Sequence, residues 1–175
     1  YYGDEIGMRD GDIAPEQRVD PRELNCPGRG LGRDPGRTPM QWDASAQAGF
    51  STTEPWLPIA EDADVHNVER QRDAADSMLT LTRQLIALRR QHPALTIGDY
   101  APVPTDAPLL GYLRHHGEEA FLVLLNLSDA PQAFVADEVM AAGKKRLSTI
   151  DIVVDGLCGR HLDLRANEGL VIELG

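Results

Sequence analysis

The pattern of apolar and polar positions divides the chain into three parts. Residues 1–8, YYGDEIGM, are typical of a strand end that runs into a loop. Residues 9–66 follow no helical or strand period and are rich in proline and glycine. A structureless connection longer than about 15 residues is uncommon in a compact domain unless it is functional or disordered. Because this one carries Trp42, Phe50 and Trp56, the sequence favours a functional loop.

The second part predicts an amphipathic helix over residues 73–91. Asp73 is the predicted N-cap, and Pro93 ends the helix. Apolar residues recur at three- and four-residue spacing, so we expect one face to pack against protein. The positions that define this face are Met78, Leu81, Leu85 and Leu88.

The third part, from about Leu95 to Gly175, predicts an antiparallel β-sandwich. LLGYLRH and AFLVLLNLS are short apolar or alternating runs on either side of residues 116–118, which is a hairpin signal. RLSTIDIVV and GLVIEL are two further strand candidates. Short strands at this spacing, separated by turn residues, are typical of a small sandwich.

Charge and composition exclude several classes of function. The 175 residues include 42% hydrophobic and 26% charged residues, which is ordinary for a globular protein. The net charge is −11, with 17 basic against 28 acidic side chains, so nucleic acid and anionic membrane surfaces are poor partners. Cys26 and Cys158 have no CxxC partner, so we predict no metal site, no disulfide framework and no cofactor. Two free thiols favour a cytoplasmic location.

The long loop contains residue types that suit a sugar-binding wall. The guanidinium groups of Arg33 and Arg37 can donate to neighbouring sugar hydroxyls, and Asp34 can accept from them. Trp42 offers a flat ring on which a sugar can stack. The Pro-Gly pair at 35–36 predicts a tight turn. The alternative is that Arg33 and Asp34 pair with each other and Trp42 fills core.

These segments carry a family resemblance. YYGDEIGM, GRDPGRTPMQWD, AGFS and EPWLPI, in this order and at these gaps, resemble the α-glucosidase and oligo-1,6-glucosidase branch of glycoside hydrolase family 13, the α-amylase superfamily. LIALRRQHPAL resembles the last barrel helix of that branch, and EAFLVLLNLS resembles the central hairpin of its C-terminal domain.

The resemblance implies a mixed α and β fold that contains the end of a (β/α)₈ barrel. Residues 1–92 would supply strand eight, the pocket loop and helix eight, and residues 93–175 the antiparallel β domain. Barrel active sites lie on the βα loops, so the long loop would be a pocket wall. Family members use an arginine of this segment at the glucose subsite; Arg37 matches it best and Arg33 is the second choice.

The catalytic carboxylates of the family are expected upstream of Tyr1, so no catalytic residue is assigned here. A retaining glycosidase needs two carboxyl groups about 5–5.5 Å apart. Asp4 and Glu5 would point to opposite faces of a strand and are predicted to anchor the loop. The remaining carboxylates are predicted to lie on the solvated surface or in the β domain: Glu61, Asp62, Asp64, Asp151 and Asp155.

No other catalytic constellation is evident in the sequence. There is no GxSxG elbow, and Ser148 and Thr149 have no obvious base. The histidine pair 115–116 falls at a predicted hairpin turn, and the other histidines are isolated in sequence: His66, His92 and His161.

Three hypotheses follow for function. The first is a fragment of an exo-acting α-glucosidase that removes terminal α-linked glucose by a retaining mechanism. The second is a non-catalytic carbohydrate-binding or structural β module. The third is a hydrolase of another class on the same scaffold. Activity of the chain by itself is left open. The barrel surfaces predict either self-association of the fragment through its N-terminal segment or a refolding of residues 1–66 over the helix and the β domain.

Overall fold

The computed structural model describes residues 1–106, 108–151 and 156–175. The chain divides into two compact units, Tyr1–Thr82 and Arg83–Gly175. The division falls inside the long helix, whereas the predicted domain boundary lies after residue 92. The domain assignment itself stays a prediction. In the described residues no helix is long and apolar enough to cross a membrane.

The first unit is built from short helical turns on a small apolar cluster. It contains 3₁₀ turns at Asp4–Ile6, Pro15–Gln17 and Pro35–Arg37, helix α1 at Pro21–Asn25 and helix α2 at Val68–Gln71. The start of α3, which runs over Met78–Gln91, completes it. Its buried cluster consists of Ile6, Met40, Val68 and Leu79, with Met8 packed against them.

The predicted strand end at residues 1–8 is wrong. Asp4–Ile6 forms a 3₁₀ turn between Gly3 and Gly7, which both have positive φ. Such φ values suit glycine and interrupt an extended conformation. The buried Gln71 side chain fixes this turn, because its Nε2 donates to the carbonyl oxygen of Ile6 at 2.7 Å.

Helix α3 begins later than the predicted start at Asp73. The hydroxyl oxygen of Ser77 accepts a hydrogen bond from the backbone N–H of Thr80, as an N-cap does. The amide oxygen of Gln71 accepts from the N–H of Leu79. Both donors belong to the first turn, so their partners set the start of the helix after Asp73.

The predicted packing face of α3 is only partly buried. Leu79 and Leu81 are each 7% exposed, whereas Met78 and Ile86 are each 46% exposed. Leu85 is also exposed. The apolar spacing therefore predicts the helix correctly, but it does not predict which of the apolar side chains are buried.

The second unit contains a five-stranded antiparallel sheet and a separate two-stranded sheet. The large sheet has the order β1-β2-β3-β7-β5, and the small sheet pairs β4 with β6. The strands are β1 (Asp99–Val103), β2 (Leu109–His116), β3 (Glu119–Asn126), β4 (Gln132–Val135), β5 (Lys144–Ser148), β6 (His161–Leu164) and β7 (Gly169–Leu174). Short helices lie at α4 (Pro93–Thr96) and α5 (Glu138–Ala141).

The predicted hairpin and last strand are confirmed. Strands β2 and β3 pair in antiparallel register from Leu109 opposite Asn126 to His116 opposite Glu119. GLVIEL is strand β7. RLSTIDIVV contributes to β5, and its residues 152–154 lie outside the described part, as does Asp155.

Both sheets contribute to one core within this unit. Leu122 and Leu124 of β3, Leu162 and Leu164 of β6, and Ile172 of β7 are at most 2% exposed and belong to the same cluster. Side chains at alternate positions of a strand point to the same face of the sheet. The buried leucines of β3 and of β6 therefore lie two positions apart in the sequence.

A buried carboxylate ties the end of the large sheet together. Glu168 accepts hydrogen bonds from the hydroxyl of Ser148 at 2.6 Å and from the N–H and guanidinium of Arg165. Burial acts to raise the pKa of Glu168, but these bonds outweigh it and hold the pKa at about 2. The ionised form of Glu168 therefore stabilises the β unit.

Replacing the Glu168 carboxylate should make the free energy of unfolding depend less on pH in the acid range. Its pKa lies below the ordinary 4.5, so its contribution is present above pH 4.5 and is lost as pH falls toward 2. At about 1.4 kcal/mol per pKa unit this contribution is about 3 kcal/mol. Glu168→Gln should lose it at pH 7 and depend less on pH in urea unfolding followed by circular dichroism.

The control is Asp163→Asn, which changes an exposed carboxylate on β6. In this variant the free energy of unfolding should fall with pH as it does in the wild-type chain. If Glu168→Gln and wild type show the same pH dependence, Glu168 contributes nothing to the loss of stability in acid.

Candidate functional site

Two buried carboxylates organise the long loop of the first unit. Asp20 and Asp34 are each 2% exposed. One oxygen of Asp34, Oδ2, accepts from the backbone N–H groups of Val19 and Asp20 at 2.8 and 2.9 Å. Outside helices and strands, buried backbone N–H groups have no regular partners. A buried carboxylate can accept their hydrogen bonds instead. Asp34 thus joins two segments of the loop.

Asp20 holds Arg33 in a two-pronged ion pair. Arg33 donates from Nε to Oδ2 at 2.7 Å and from Nη2 to Oδ1 at 2.8 Å, and its backbone N–H also donates to Oδ2. These side-chain bonds hold the pKa of Asp20 well below its usual range against the opposing effect of burial. The same bonds raise the pKa of Arg33. Asp20 also accepts from the N–H of Arg22 as N-cap of α1.

Arg37 is presented from a short turn that Asp34 begins. The backbone N–H of Arg37 donates to the carbonyl oxygen of Asp34 at 2.9 Å, closing the 3₁₀ turn Pro35–Arg37. The Arg37 side chain is exposed and its Nε donates to the phenol oxygen of Tyr1 at 2.9 Å. The hydroxyl of Tyr2 donates to the carbonyl oxygen of Thr38 at 2.9 Å. The two tyrosines therefore contact the last residue of this turn and the residue that follows it.

Trp42 is held by a separate turn and lies at the surface. Its backbone N–H donates to the carbonyl oxygen of Ala48 at 2.8 Å, and its own carbonyl accepts from Glu69 at the start of α2. Ala48 and Gly49 have φ of 49° and 64°. A Cβ on Gly49 would lie 3.1 Å from Cβ of Trp42, so glycine permits this approach. The ring is about half exposed.

The four predicted sugar-contacting residues fall into two groups. Arg33 and Asp34 belong to one hydrogen-bonded network around Asp20, whereas Arg37 and Trp42 lie outside that network. Asp34 is buried, and the other three side chains are exposed, Arg33 to 43%. The alternative in which Arg33 pairs with Asp34 is wrong, because the carboxylate that faces Arg33 is Asp20. The alternative in which Trp42 fills core is also wrong.

Sequence reasoning missed Asp20 and Tyr1. Asp20 precedes a proline at the first position of α1, and Asp-Pro at a helix start is a recognisable N-cap signal. Tyr1 had no such signal, since its contact with Arg37 joins positions 36 residues apart.

Two other predictions about polar residues need correction. Glu5 accepts from the N–H of Gly3 and so fixes its own turn rather than the long loop. Asp62 is not simply a solvated carboxylate, because it accepts from Nε2 of Gln41 at 3.1 Å and contacts Nδ1 of His66 at 2.8 Å. Burial acts to raise the pKa of Asp62, but these contacts lower it.

Two of the three histidines predicted as isolated, His66 and His92, have carboxylate partners. His66 contacts Asp62, and Nδ1 of His92 lies 2.5 Å from Glu119, which also accepts from the N–H of Ala94. Across the described ranges, no group of three histidine, cysteine or carboxylate side chains is placed to hold a metal ion. Ser148 donates to Glu168 and not to a histidine base.

With this geometry defined, comparison with known proteins identifies the family. The model of the α-amylase catalytic domain matches residues 1–98, which is more than half of the chain. The chain belongs to the α-amylase family, glycoside hydrolase family 13.

Similar proteins lie among the α-glucosidases of that family. A probable α-glucosidase of Rhizobium meliloti (strain 1021) is 36% identical over 129 residues, covering 74% of this chain and 23% of the relative. A glucan 1,6-α-glucosidase of Streptococcus pneumoniae serotype 4 is 34% identical over 149 residues, covering 75% and 28%. The chain thus spans less than a third of these relatives.

Solved structures show the same fold. The α-glucosyl transfer enzyme XgtA superposes with a TM-score of 0.86 at 30% identity, over 100% of this chain and 32% of that one. A MutB variant in complex with the substrate sucrose gives a TM-score of 0.86 at 25% identity, over 99% and 34%. The mixed α and β architecture with antiparallel sheets is therefore that of part of an α-amylase-type enzyme.

The network around Asp34 makes a prediction about the order of the loop. Asp34→Ala should leave the N–H groups of Val19 and Asp20 without their acceptor, at about 1–3 kcal/mol. Their hydrogen exchange should accelerate roughly tenfold to a hundredfold. Asp12→Ala, which removes an exposed carboxylate of the same loop, is the matched control. Unchanged exchange of both amides in Asp34→Ala would disprove the bridging role of Asp34.

Proposed function

We propose that this chain supplies one wall of the glucose site of an exo-acting α-glucosidase that uses a retaining mechanism. In this proposal residues 1–92 form the end of a (β/α)₈ barrel with its eighth βα loop and helix, and residues 93–175 form the C-terminal β-sandwich domain. The names of the similar proteins support the substrate class, since they include a glucan 1,6-α-glucosidase and a sucrose complex. The cytoplasmic location and self-association stay predictions.

The observation that carries the proposal is the exposure of Arg37 on an ordered loop. Its neighbour Arg33 is bound to Asp20, while Arg37 projects from the 3₁₀ turn that its own backbone N–H closes on the carbonyl oxygen of Asp34. A guanidinium group has donors in a fixed fork, which suits two adjacent sugar hydroxyls. Positioning such a donor in advance reduces the entropy that binding would otherwise lose.

Each residue of the wall has a distinct part in this proposal. Arg37 donates to hydroxyls of the terminal glucose, and Trp42 offers a ring face to an adjoining sugar. Arg33 and Asp34 act from behind, by holding the loop that carries Arg37. The nucleophile and the acid/base are carboxylates of earlier barrel strands, which the family resemblance assigns to positions upstream of Tyr1.

Sugar binding by the chain tests the role of Arg37. Methyl α-glucoside should bind with a dissociation constant on the order of 1–10 mM, because few polar contacts are available to one wall of a pocket. Trp42 and Trp56 are the two tryptophans, so a Trp56→Phe background leaves Trp42 as the fluorescent reporter. In that background Arg37→Ala should weaken binding at least tenfold.

Arg29→Ala is the matched control, because Arg29 is an exposed arginine of the same loop. It should bind the glucoside as the parent does. Equal binding by Arg37→Ala and the parent, or equal losses in both arginine variants, would contradict a specific role for Arg37.

Catalysis requires more than this wall. The purified chain should not hydrolyse p-nitrophenyl α-glucoside, maltose, isomaltose or sucrose above background, since positioning does not replace the covalent step. The assay is release of p-nitrophenol or glucose by the repurified chain. Turnover that persists through repurification and falls on substitution of a carboxylate in this chain would refute the upstream assignment.

A further inference from the structure

The side chain of Arg37 is held at one atom and open at two. Its Nε donates to the phenol oxygen of Tyr1 at 2.9 Å, although the two residues are 36 positions apart. Across the described residues, the recorded hydrogen bonds of the Arg37 side chain involve Nε alone. The two terminal nitrogens, Nη1 and Nη2, thus remain as a pair of donors on the far edge of the guanidinium plane.

The ring of Tyr1 packs against the next tyrosine. It stacks on Tyr2, with centroids 6.1 Å apart and planes at 22°. The hydroxyl of Tyr2 donates to the carbonyl oxygen of Thr38, the residue that follows Arg37. The tyrosine pair therefore contacts both the side chain of Arg37 and the backbone next to it.

Gly36 lies in the turn that carries Arg37, and there is little space for a side chain at its position. A Cβ at this position would lie 3.3 Å from Oδ1 of Asp10 and 3.9 Å from Cε1 of the Tyr1 ring. The carboxylate of Asp10 and the ring of Tyr1 thus both lie close to the turn that carries Arg37. A long arginine side chain loses about 2 kcal/mol of conformational freedom when it is fixed, and contacts formed before binding reduce that loss at the moment of binding.

We propose that Tyr1 is a positioning residue for Arg37: its phenol oxygen holds Nε so that Nη1 and Nη2 face the sugar hydroxyls. This inference rests on the proposed glucose-binding role of Arg37. It assigns the first tyrosine of YYGDEIGM a part in substrate recognition that the second tyrosine does not share, since Tyr2 bonds to the backbone. Its action is indirect and needs no contact between Tyr1 and the sugar.

The test compares Tyr1→Phe with Tyr2→Phe, each of which removes one phenol oxygen and keeps the ring. In ¹⁵N-labelled chain without sugar, the Nε–H proton of Arg37 should exchange with water about tenfold faster in Tyr1→Phe than in wild type. It should be unchanged in Tyr2→Phe. Arg37→Lys identifies the signal, because lysine has no Nε–H of this kind.

Affinity for methyl α-glucoside supplies the second readout. Tyr1→Phe should raise the dissociation constant about fivefold to tenfold, whereas in an Arg37→Lys background the same change should have no further effect. A general loosening of the loop would instead weaken binding in both backgrounds, and so would overturn the proposal. Unchanged exchange and unchanged affinity in Tyr1→Phe would also overturn it.

The two proposals can fail separately. If wild-type chain does not bind the glucoside while the Nε–H signal still depends on Tyr1, the contact exists and the glucose-binding role of Arg37 is wrong. If wild-type chain binds the glucoside and Tyr1→Phe binds equally well, the glucose site stands and the positioning role of Tyr1 is wrong.

Discussion

The loop of the first unit depends on two buried carboxylates, Asp20 and Asp34. They accept hydrogen bonds from backbone N–H groups and from a guanidinium group of the loop. Asp34 pairs the N–H groups of Val19 and Asp20, and Asp20 pairs Arg33 through both of its oxygens. Without regular secondary structure, a long loop has few other ways to satisfy buried donors. The same carboxylates set which arginine is free to contact a ligand.

This division between two arginines links the electrostatics of the loop to its proposed use. The ion pair with Asp20 orders Arg33 and occupies its Nε and Nη2, although the side chain is still 43% exposed. Arg37, four residues later, is the last residue of the 3₁₀ turn, and among the described residues its side chain hydrogen-bonds through Nε to the phenol oxygen of Tyr1. A site wall built in this way separates the groups that hold shape from the group that binds, and so keeps the binding group in place before a sugar arrives.

The β unit relies on a comparable device. Glu168 joins the turn before β7 to the end of β5 through Arg165 and Ser148. The buried amide of Asn126 does the same at the end of β3, where its Nδ2 donates to the carbonyl oxygens of Ala130 and Arg165. Apolar alternation brings the strands together, and these polar groups satisfy the backbone where the strands end.

The sequence predicted the parts of the molecule that local patterns determine. Alternating apolar residues gave the β2–β3 hairpin and β7, because side-chain direction in a strand repeats every two residues. The start of α3 was predicted too early, at Asp73, since the sequence does not reveal that Gln71 and Ser77 accept hydrogen bonds from the first turn. The family resemblance ranks Arg37 before Arg33, but the sequence does not show the partners that distinguish the two side chains. These partners are a carboxylate 13 residues before Arg33 and a phenol 36 residues before Arg37.

The most direct test of the account is a map of NMR chemical-shift changes in ¹⁵N-labelled chain as methyl α-glucoside is added. The account predicts changes at the Arg37 guanidinium and in the backbone of Gly36 and Thr38, while the amides of Val19 and Asp20 and the side chain of Arg33 stay constant. That result would show a prepared wall that binds through Arg37. Changes centred on Arg33, or confined to the β unit, would contradict it.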